Sequence, residues 1–368
     1  MKELSNKLDS LIRTDRSFAA FRLPGSDSVR FMFMEEGEPD TLPNMQALSG
    51  RRGFVIAPFA AAPNSPVVLI DPTEDRMMAL PSDAPAGDPP RIGAPAQKID
   101  QRYSGRFEVF MAAVREGRFS KLVLSRRRFY GCDDSFSPSE AFFEACRRYK
   151  GGMCVYIFNT PVTGCWMCCT PELLLSGEKG LWQTAAMAGT QPLQPDGSLP
   201  EEWDSKNIAE QEIVARYMRS QLSSLDAFAR KEEGPYVVNA GHLAHLRTDF
   251  SFELPGAGRL GEVLAYLHPT PAVSGLPKEE AIRFILLNEG YKRRYYSGFA
   301  GWLDPEGRSD IYVNLRCMNI LRHSLAVYGG GGLLPSSVLE AEWKETEDKM
   351  QTILSVKPGN ANASSVLE

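Results

Sequence analysis

The chain has 368 residues, of which 43% are hydrophobic and 24% charged, a composition typical of a soluble globular protein with ample length for a buried core. Its net charge is -5, and its densest basic run is only Arg126–Arg128, so we expect no nucleic-acid partner. No secretory signal or membrane-spanning stretch is visible. With seven cysteines and no signal, we expect a reduced, cytoplasmic protein without membrane contact.

The N-terminal third contains short apolar runs that predict β-strands in need of a partner face. These runs are Val29–Met34, Phe54–Phe59 and Val67–Ile70. A proline-rich segment from Leu80 to Pro95 follows them and predicts an extended surface connection.

Beyond this segment, strands and helices mix irregularly, which indicates an α+β protein. Predicted strands cover Lys121–Leu124 and Cys154–Phe158, and predicted helices cover Ser137–Tyr149, Ile208–Leu225, Leu276–Asn288 and Glu340–Leu354. Ser137 is expected to be an N-cap with Pro138 at the first helical position. The run Cys165, Cys168 and Cys169 lacks a second ligand pair, so it favours a buried strand over a zinc site.

Acidic residues fall on the apolar stripes of two predicted helices. Glu210 precedes Ile213 and Val214 by three and four residues, and a salt bridge is the simplest explanation for its position. In the last helix, Glu342, Glu345 and Lys349 share one stripe. Like charges at this spacing repel, and a shared cation would relieve them; Mg²⁺ suits such hard oxygen donors.

Four glycines, Gly329–Gly332, follow a predicted strand over Leu325–Tyr328 and precede the last helix. They predict a loop whose backbone N–H groups can approach an anion, or alternatively a plain flexible turn.

Taken together, these segments resemble the chorismate-utilising enzymes from about Lys121 to Leu354. The matching blocks are KLVLSR (121–126), TPELLL (170–175), MAGT (187–190), AEQ (209–211), HLRT (245–248), LHPTPAVSG (267–275), YSGFAGW (296–302), LRC (315–317) and GGGL with EAEWKETEDK (330–333 and 340–349). The resemblance implies an α+β fold like that of anthranilate synthase component I. In that fold, two mainly antiparallel sheets pack together in a single large domain with helices outside.

The resemblance also implies a division of this domain and a branch of the family. Residues 1–95 would form its N-terminal β-rich part, 96–356 the chorismate-binding core and 357–368 a C-terminal tail. Lys121 stands where water-using relatives carry lysine, and Ala188 stands where another branch carries a nucleophilic lysine. The expected activity is Mg²⁺-dependent isochorismate synthesis, by water addition at C2 and loss of the C4 hydroxyl. We expect a monomer without a glutaminase subunit.

Site roles follow from the same blocks. Lys121 would be the general base and Glu172 the general acid. The metal ligands would be Glu210, Glu342 and Glu345. A substrate carboxylate would be held by Arg316, Lys349 and Gly330, and the pocket would be lined by Gly189, Thr190, His245 and Tyr296.

Simpler interpretations of the two catalytic residues, and other activities, remain open. Lys121 also fits a surface lysine at a strand end, and Glu172 also fits the first turn of a helix capped by Thr170. Gly331 replaces the family's alanine and Gln211 its usual histidine. Salicylate synthesis in the same pocket, a non-catalytic chorismate-binding role and anthranilate synthesis are the alternatives. The isochorismate could feed menaquinone, a siderophore or salicylate.

Overall fold

The computed structural model describes residues 2–80, 98–133, 135–254 and 256–356. The helices of these residues are α1 (Lys2–Arg13), α2 (Gln101–Arg115), α3 (Pro138–Arg148), α4 (Ser205–Ser224), α5 (Leu260–Leu267), α6 (Lys278–Asn288) and α7 (Leu339–Leu354). None of the helices described is long and apolar enough to cross a bilayer.

Eighteen strands alternate with these helices along the described residues. They are β1 (Phe18–Arg22), β2 (Ser28–Phe33), β3 (Asp40–Leu42), β4 (Gly53–Ala57), β5 (Val67–Ile70), β6 (Glu74–Ala79), β7 (Lys121–Gly131), β8 (Cys154–Asn159), β9 (Cys165–Thr170), β10 (Leu173–Glu178), β11 (Leu181–Pro192), β12 (Phe228–Ala240), β13 (Leu243–Glu253), β14 (Gly275–Leu276), β15 (Phe299–Leu303), β16 (Ser309–Val313), β17 (Cys317–Ile320) and β18 (Ser324–Leu333).

The strands form two nine-stranded antiparallel sheets, which confirms the predicted fold class. The first sheet has the order β14-β7-β18-β17-β9-β8-β1-β2-β6, and the second has the order β12-β13-β11-β10-β16-β15-β4-β5-β3. The inner faces share one apolar core, in which the rings of Phe54 on β4 and Phe158 on β8 lie 6.2 Å apart. Helices α1, α3 and α7 cover the outer face of the first sheet, and α4 and α5 cover that of the second.

Strands from the N-terminal third complete both sheets. β1 pairs with β8 in the first sheet, and β4 pairs with β15 in the second. The predicted apolar strands therefore find partner faces in the later part of the chain. Beyond Leu80, the predicted proline-rich connection lies outside the described residues, as does the predicted tail 357–368. The division at residue 95 stays a prediction.

Several local predictions are confirmed by the element bounds. Val67–Ile70 is β5 as predicted, and Ser137 caps α3 by accepting a hydrogen bond from the Glu140 backbone N–H at 3.2 Å. Cys165, Cys168 and Cys169 are buried in β9, as a core strand requires.

The predicted glycine loop is wrong, because Gly329–Gly332 belong to β18. This strand pairs with β7 along its whole length, from Ser324 opposite Gly131 to Leu333 opposite Leu122. The ladder of backbone hydrogen bonds thus outweighs the low strand propensity of glycine. The same pairing extends β7 well past the predicted end at Leu124.

Candidate active site

A cavity near the paired strands β7 and β18 brings the predicted site residues together. Nine of them line it: Glu172, Gly189, Thr190, Glu210, His245, Tyr296, Arg316, Gly330 and Lys349. The other three lie directly behind this lining. Lys121 contacts Glu210, Glu345 contacts Lys349, and Glu342 lies beside Glu345 next to Gly331.

Lys121 is fully buried, so its interpretation as a surface lysine is wrong. Its Nζ lies 2.8 Å from Glu210 Oε1, in an ion pair between β7 and α4. The pair rests against Gly332 of the neighbouring strand, where any Cβ would overlap Glu210 Oε1 and the Lys121 chain. Glycine at this position is therefore a requirement of the ion pair.

Glu172 lies in the short connection between β9 and β10, so its interpretation as a helix-terminal residue is also wrong. Thr170 ends β9 and does accept a hydrogen bond from the Glu172 backbone N–H at 3.2 Å, but no helix follows. Thr270 Oγ1 donates to Glu172 Oε1 at 3.4 Å. Burial raises the pKa of Glu172 to about 7, against the opposing charge of Lys121. A large fraction of this carboxyl group is therefore protonated near neutral pH.

Three carboxylates gather around Gly331 and Gly332, and each is paired with a lysine. Beside the Lys121–Glu210 pair, Lys206 Nζ lies 2.5 Å from Glu342 Oε1, and Lys349 Nζ lies 2.6 Å from Glu345 Oε1. A Cβ on Gly331 would lie 2.8 Å from Glu342 Oε2 and 3.4 Å from Glu345 Oε1. Because Gly331 has no side chain, the two carboxylates of α7 can both lie close to this strand.

The two carboxylates of α7 repel each other, as the sequence spacing predicts. Burial, and after it the charge of Glu345, raise the pKa of Glu342 to about 7. Burial alone would also raise the pKa of Glu345, but Lys349, Lys206 and Arg316 hold that pKa below its usual range. The buried Glu342 Oε2 has no hydrogen-bond partner among the described residues. One carboxylate oxygen of the cluster, Glu342 Oε2, is therefore left without a partner in the described part of the chain, although Glu342 Oε1 contacts Lys206.

Arg316 and His245 form a further buried pair in the lining of the cavity. His245 Nδ1 lies 2.8 Å from the Gly189 carbonyl oxygen and must therefore carry the proton that it donates there. Its Nε2 is then free to accept a hydrogen bond from Arg316 Nη2 at 3.0 Å. Burial, followed by the charge of Arg316, lowers the pKa of His245 to about 3, so the imidazole is neutral. Arg316 has a left-handed backbone φ of 51°, and although burial lowers its pKa to about 10, it remains charged at neutral pH.

The remaining predicted residues shape the cavity. Gly189 has a φ of 74° at the point where the pairing of β11 with β13 shifts register, a β-bulge that favours glycine. The Thr190 backbone N–H donates to Asn207 Oδ1 at 2.9 Å. The ring of Tyr296 stacks on Tyr328 at 5.0 Å. Lys349 Nζ donates to the carbonyl of Gly330 at 3.0 Å, so this glycine offers the lysine an acceptor.

Among the side chains that contact the predicted site residues, those of Lys206, Asn207 and Thr270 carry no predicted role. Lys206 precedes Glu210 by four residues, one helical turn, and this spacing could have indicated it. Thr270 stands inside the HPTPAV block, but its contact with Glu172 joins positions 98 residues apart. The Asn207 side chain accepts a hydrogen bond from the Thr190 backbone N–H, next to the bulge at Gly189. No local sequence signal predicts this contact.

The carboxylate cluster consists of donors of the kind that bind divalent cations. Glu210, Glu342 and Glu345 offer hard oxygen ligands, which Mg²⁺ prefers, and the partnerless Glu342 Oε2 supplies an available one. Among the described residues, no three acidic, histidine or cysteine side chains are grouped so that they could hold a metal ion as they stand. Each carboxylate instead contacts a lysine, as described above.

Comparison with known proteins places the chain beside chorismate-using enzymes. The family described as "Chorismate binding enzyme" matches residues 67–356. Isochorismate synthase EntC of Escherichia coli K12 is 30% identical over 209 residues, which are 55% of this chain and 54% of that relative. The chain thus matches about half the length of that relative.

Two solved structures share the fold. MenF, the menaquinone-specific isochorismate synthase of Escherichia coli, superposes with a TM-score of 0.76 and 20% identity, over 94% of this chain and 90% of that one. Anthranilate synthase component I of Streptococcus pneumoniae superposes with a TM-score of 0.64 and 16% identity, over 92% and 90%.

Proposed function

Because this chain belongs to the chorismate binding enzymes, we propose that it is an isochorismate synthase, which interconverts chorismate and isochorismate with Mg²⁺. Water adds at C2 of the ring as the hydroxyl at C4 departs. Water is a poor nucleophile and hydroxide a poor leaving group near neutral pH, so the reaction needs both a base and an acid.

The observation that carries the proposal is a buried lysine and a buried, protonatable carboxyl group at one cavity. Lys121 takes a proton from the attacking water, whose oxygen bonds to C2. Glu172 gives its proton to the C4 oxygen as the C4–O bond breaks, and a second water molecule leaves. With a pKa of about 7, Glu172 can hold that proton near neutral pH and still release it. The reverse reaction uses the same two groups with their roles exchanged.

The charged residues of the cavity suit a dianionic substrate. The guanidinium of Arg316, aligned by His245, offers N–H donors to a carboxylate in a buried setting, where such bonds are strong. Lys349 also lines the cavity and adds a second positive charge. The stacked ring of Tyr296 supplies a flat apolar wall for the substrate ring.

Glu210, Glu342 and Glu345 would hold the Mg²⁺ ion. When bound, Mg²⁺ would neutralise the ring carboxylate and withdraw negative charge from the conjugated system. The partnerless oxygen of Glu342 and the repulsion between Glu342 and Glu345 support this assignment.

Water is favoured over amine nucleophiles by two residues. Lys121 supplies a base for water, and Ala188 gives the cavity a methyl group where a covalent route would need a lysine amine. Isochorismate is therefore the expected product.

The test is a product assay with chorismate and MgCl₂, followed by chromatography and fluorescence. Isochorismate that depends on Mg²⁺ is expected. Salicylate with equimolar pyruvate would move the assignment to salicylate synthesis. Chorismate binding without turnover would indicate a non-catalytic relative, and anthranilate formed with added ammonium would indicate the ammonia-using branch.

A further inference from the structure

Lys206 occupies the carboxylate cluster without lining the substrate cavity. It lies in the first turn of α4, and its Nζ is 2.5 Å from Glu342 Oε1 on α7. The Glu342 side chain is only 1% exposed, whereas that of Lys206 is 22% exposed. The ammonium group therefore reaches inward to a buried carboxylate from a side chain that keeps contact with solvent.

The carboxylate that this ammonium group contacts, Glu342, lies beside Glu345 at Gly331, so Lys206 reaches the carboxylate cluster directly. The other two lysines differ in position. Lys349 lines the substrate cavity, and Lys121 is fully buried on the strand beside it. Lys206 thus contacts the cluster from outside the substrate cavity, unlike Lys349.

We propose that Lys206 is a built-in counter-ion that stabilises the carboxylate cluster in the metal-free protein and competes with the divalent cation for the same oxygens. The inference rests on the Mg²⁺ site of the proposed function. Without a cation, Glu342 would be a buried charge facing Glu345, which is unfavourable. Because the Lys206 side chain is partly exposed, its ammonium can withdraw to solvent when a divalent cation takes its place.

The experiment compares the wild-type protein with Lys206→Met, which keeps the length of the side chain and removes its charge. Metal-stripped full-length protein is titrated with MgCl₂ in a calorimeter, without chorismate. The dissociation constant for Mg²⁺ is expected to fall by about tenfold or more, since a competing unit charge at hydrogen-bonding distance is removed. The midpoint of thermal unfolding in EDTA should fall, and MgCl₂ should raise it more than in the wild type.

Two further variants keep the comparison interpretable. Lys344→Met removes an ion pair of equal length within α7, 2.5 Å to Asp348, but from an exposed side chain. It should leave Mg²⁺ affinity unchanged. Lys206→Arg retains the positive charge and should bind Mg²⁺ no more tightly than the wild type. If Lys206→Met folds poorly, Lys206→Gln takes its place: a dissociation constant for Mg²⁺ below that of the wild type would support the competition, and an equal or higher one would overturn it.

The outcomes distinguish a failure of this inference from a failure of the proposed function. Equal or weaker Mg²⁺ binding by Lys206→Met would refute the proposed competition. It would indicate instead that Lys206 holds the carboxylate ligands of Mg²⁺ in place. Failure of every variant to bind Mg²⁺ would overturn both this inference and the metal part of the proposed function. Formation of isochorismate by the wild type is measured separately. It would still support the proposed function if Lys206→Met bound Mg²⁺ no more tightly than the wild type.

Discussion

Glu172→Gln separates the chemical role of this residue from its effect on stability. The glutamine keeps the shape of the side chain but cannot give up a proton to the C4 oxygen. Loss of a positioned general acid is expected to lower kcat by about 10²–10⁴-fold. Chorismate affinity should change little, because Arg316 and Lys349 supply the charges that hold the substrate.

The same change should stabilise the fold above neutral pH. Between pH 4.5 and about 7, the folded protein keeps a proton on Glu172 that the unfolded chain has released, so stability falls as pH rises through this window. The pKa difference from 4.5 to about 7 corresponds to about 3 kcal/mol, since one pKa unit is worth about 1.4 kcal/mol. Glutamine carries no such pH-dependent cost.

The assay is thermal unfolding of both proteins in matched buffers from pH 4.5 to pH 9. The midpoint of the variant minus that of the wild type should rise with pH and level off above about pH 7, where Glu172 is deprotonated in both states. Glu178→Gln is the matched control, since Glu178 is exposed at the end of β10, and it should shift neither stability nor activity. A difference that is flat with pH, or a variant of normal kcat, would refute the reasoning.

The remaining predictions concern the base, the substrate anchor, the glycine strand and the pH profile. Lys121→Met should lower kcat by about 10²–10⁴-fold in the product assay while chorismate binding, measured by calorimetry, persists. Arg316→Met should raise KM by about tenfold or more, because hydrogen bonds to charged groups are worth about 1.5–3 kcal/mol. Gly332→Ala should cost about 1–3 kcal/mol of stability by overlap with the ion pair, measured by thermal unfolding. The forward rate of the wild type should fall as pH rises above about 7, as Glu172 loses its proton.

The controls for these variants come from the same chain. Gly151→Ala meets no atom within 4 Å and should leave stability unchanged, so an equal loss in both alanine variants would contradict the steric argument. Normal turnover by Lys121→Met would disprove its role as the base. An unchanged KM for Arg316→Met would place the substrate carboxylate elsewhere. A forward rate that keeps rising above pH 8 would disprove an acid with this pKa.

Periodic segments with clear ends could be predicted from the sequence. The apolar run of β5 and the Ser137–Pro138 start of α3 are local signals, and the structure confirms both. The inward position of Glu210 followed from helical spacing and is likewise confirmed by its burial. These features depend on residues that are neighbours in sequence.

Features that depend on distant partners could not be predicted from the residues alone. The glycines of β18 form a strand because they pair with β7, and their lack of side chains leaves room for the carboxylates of α7. An isolated glycine run in the sequence indicates neither neighbour. The burial of Lys121 depends on Glu210, 89 positions later in the chain. Lys206 has a local signal in its spacing to Glu210, but its partner Glu342 lies on another helix.

The central claim, that water from solvent adds to chorismate, is tested most directly by isotope labelling. The protein is incubated with chorismate and MgCl₂ in H₂¹⁸O, and early products are analysed by mass spectrometry. The account predicts isochorismate that carries one ¹⁸O atom, because the new hydroxyl at C2 comes from solvent. Unlabelled isochorismate, or no isochorismate at all, would contradict it.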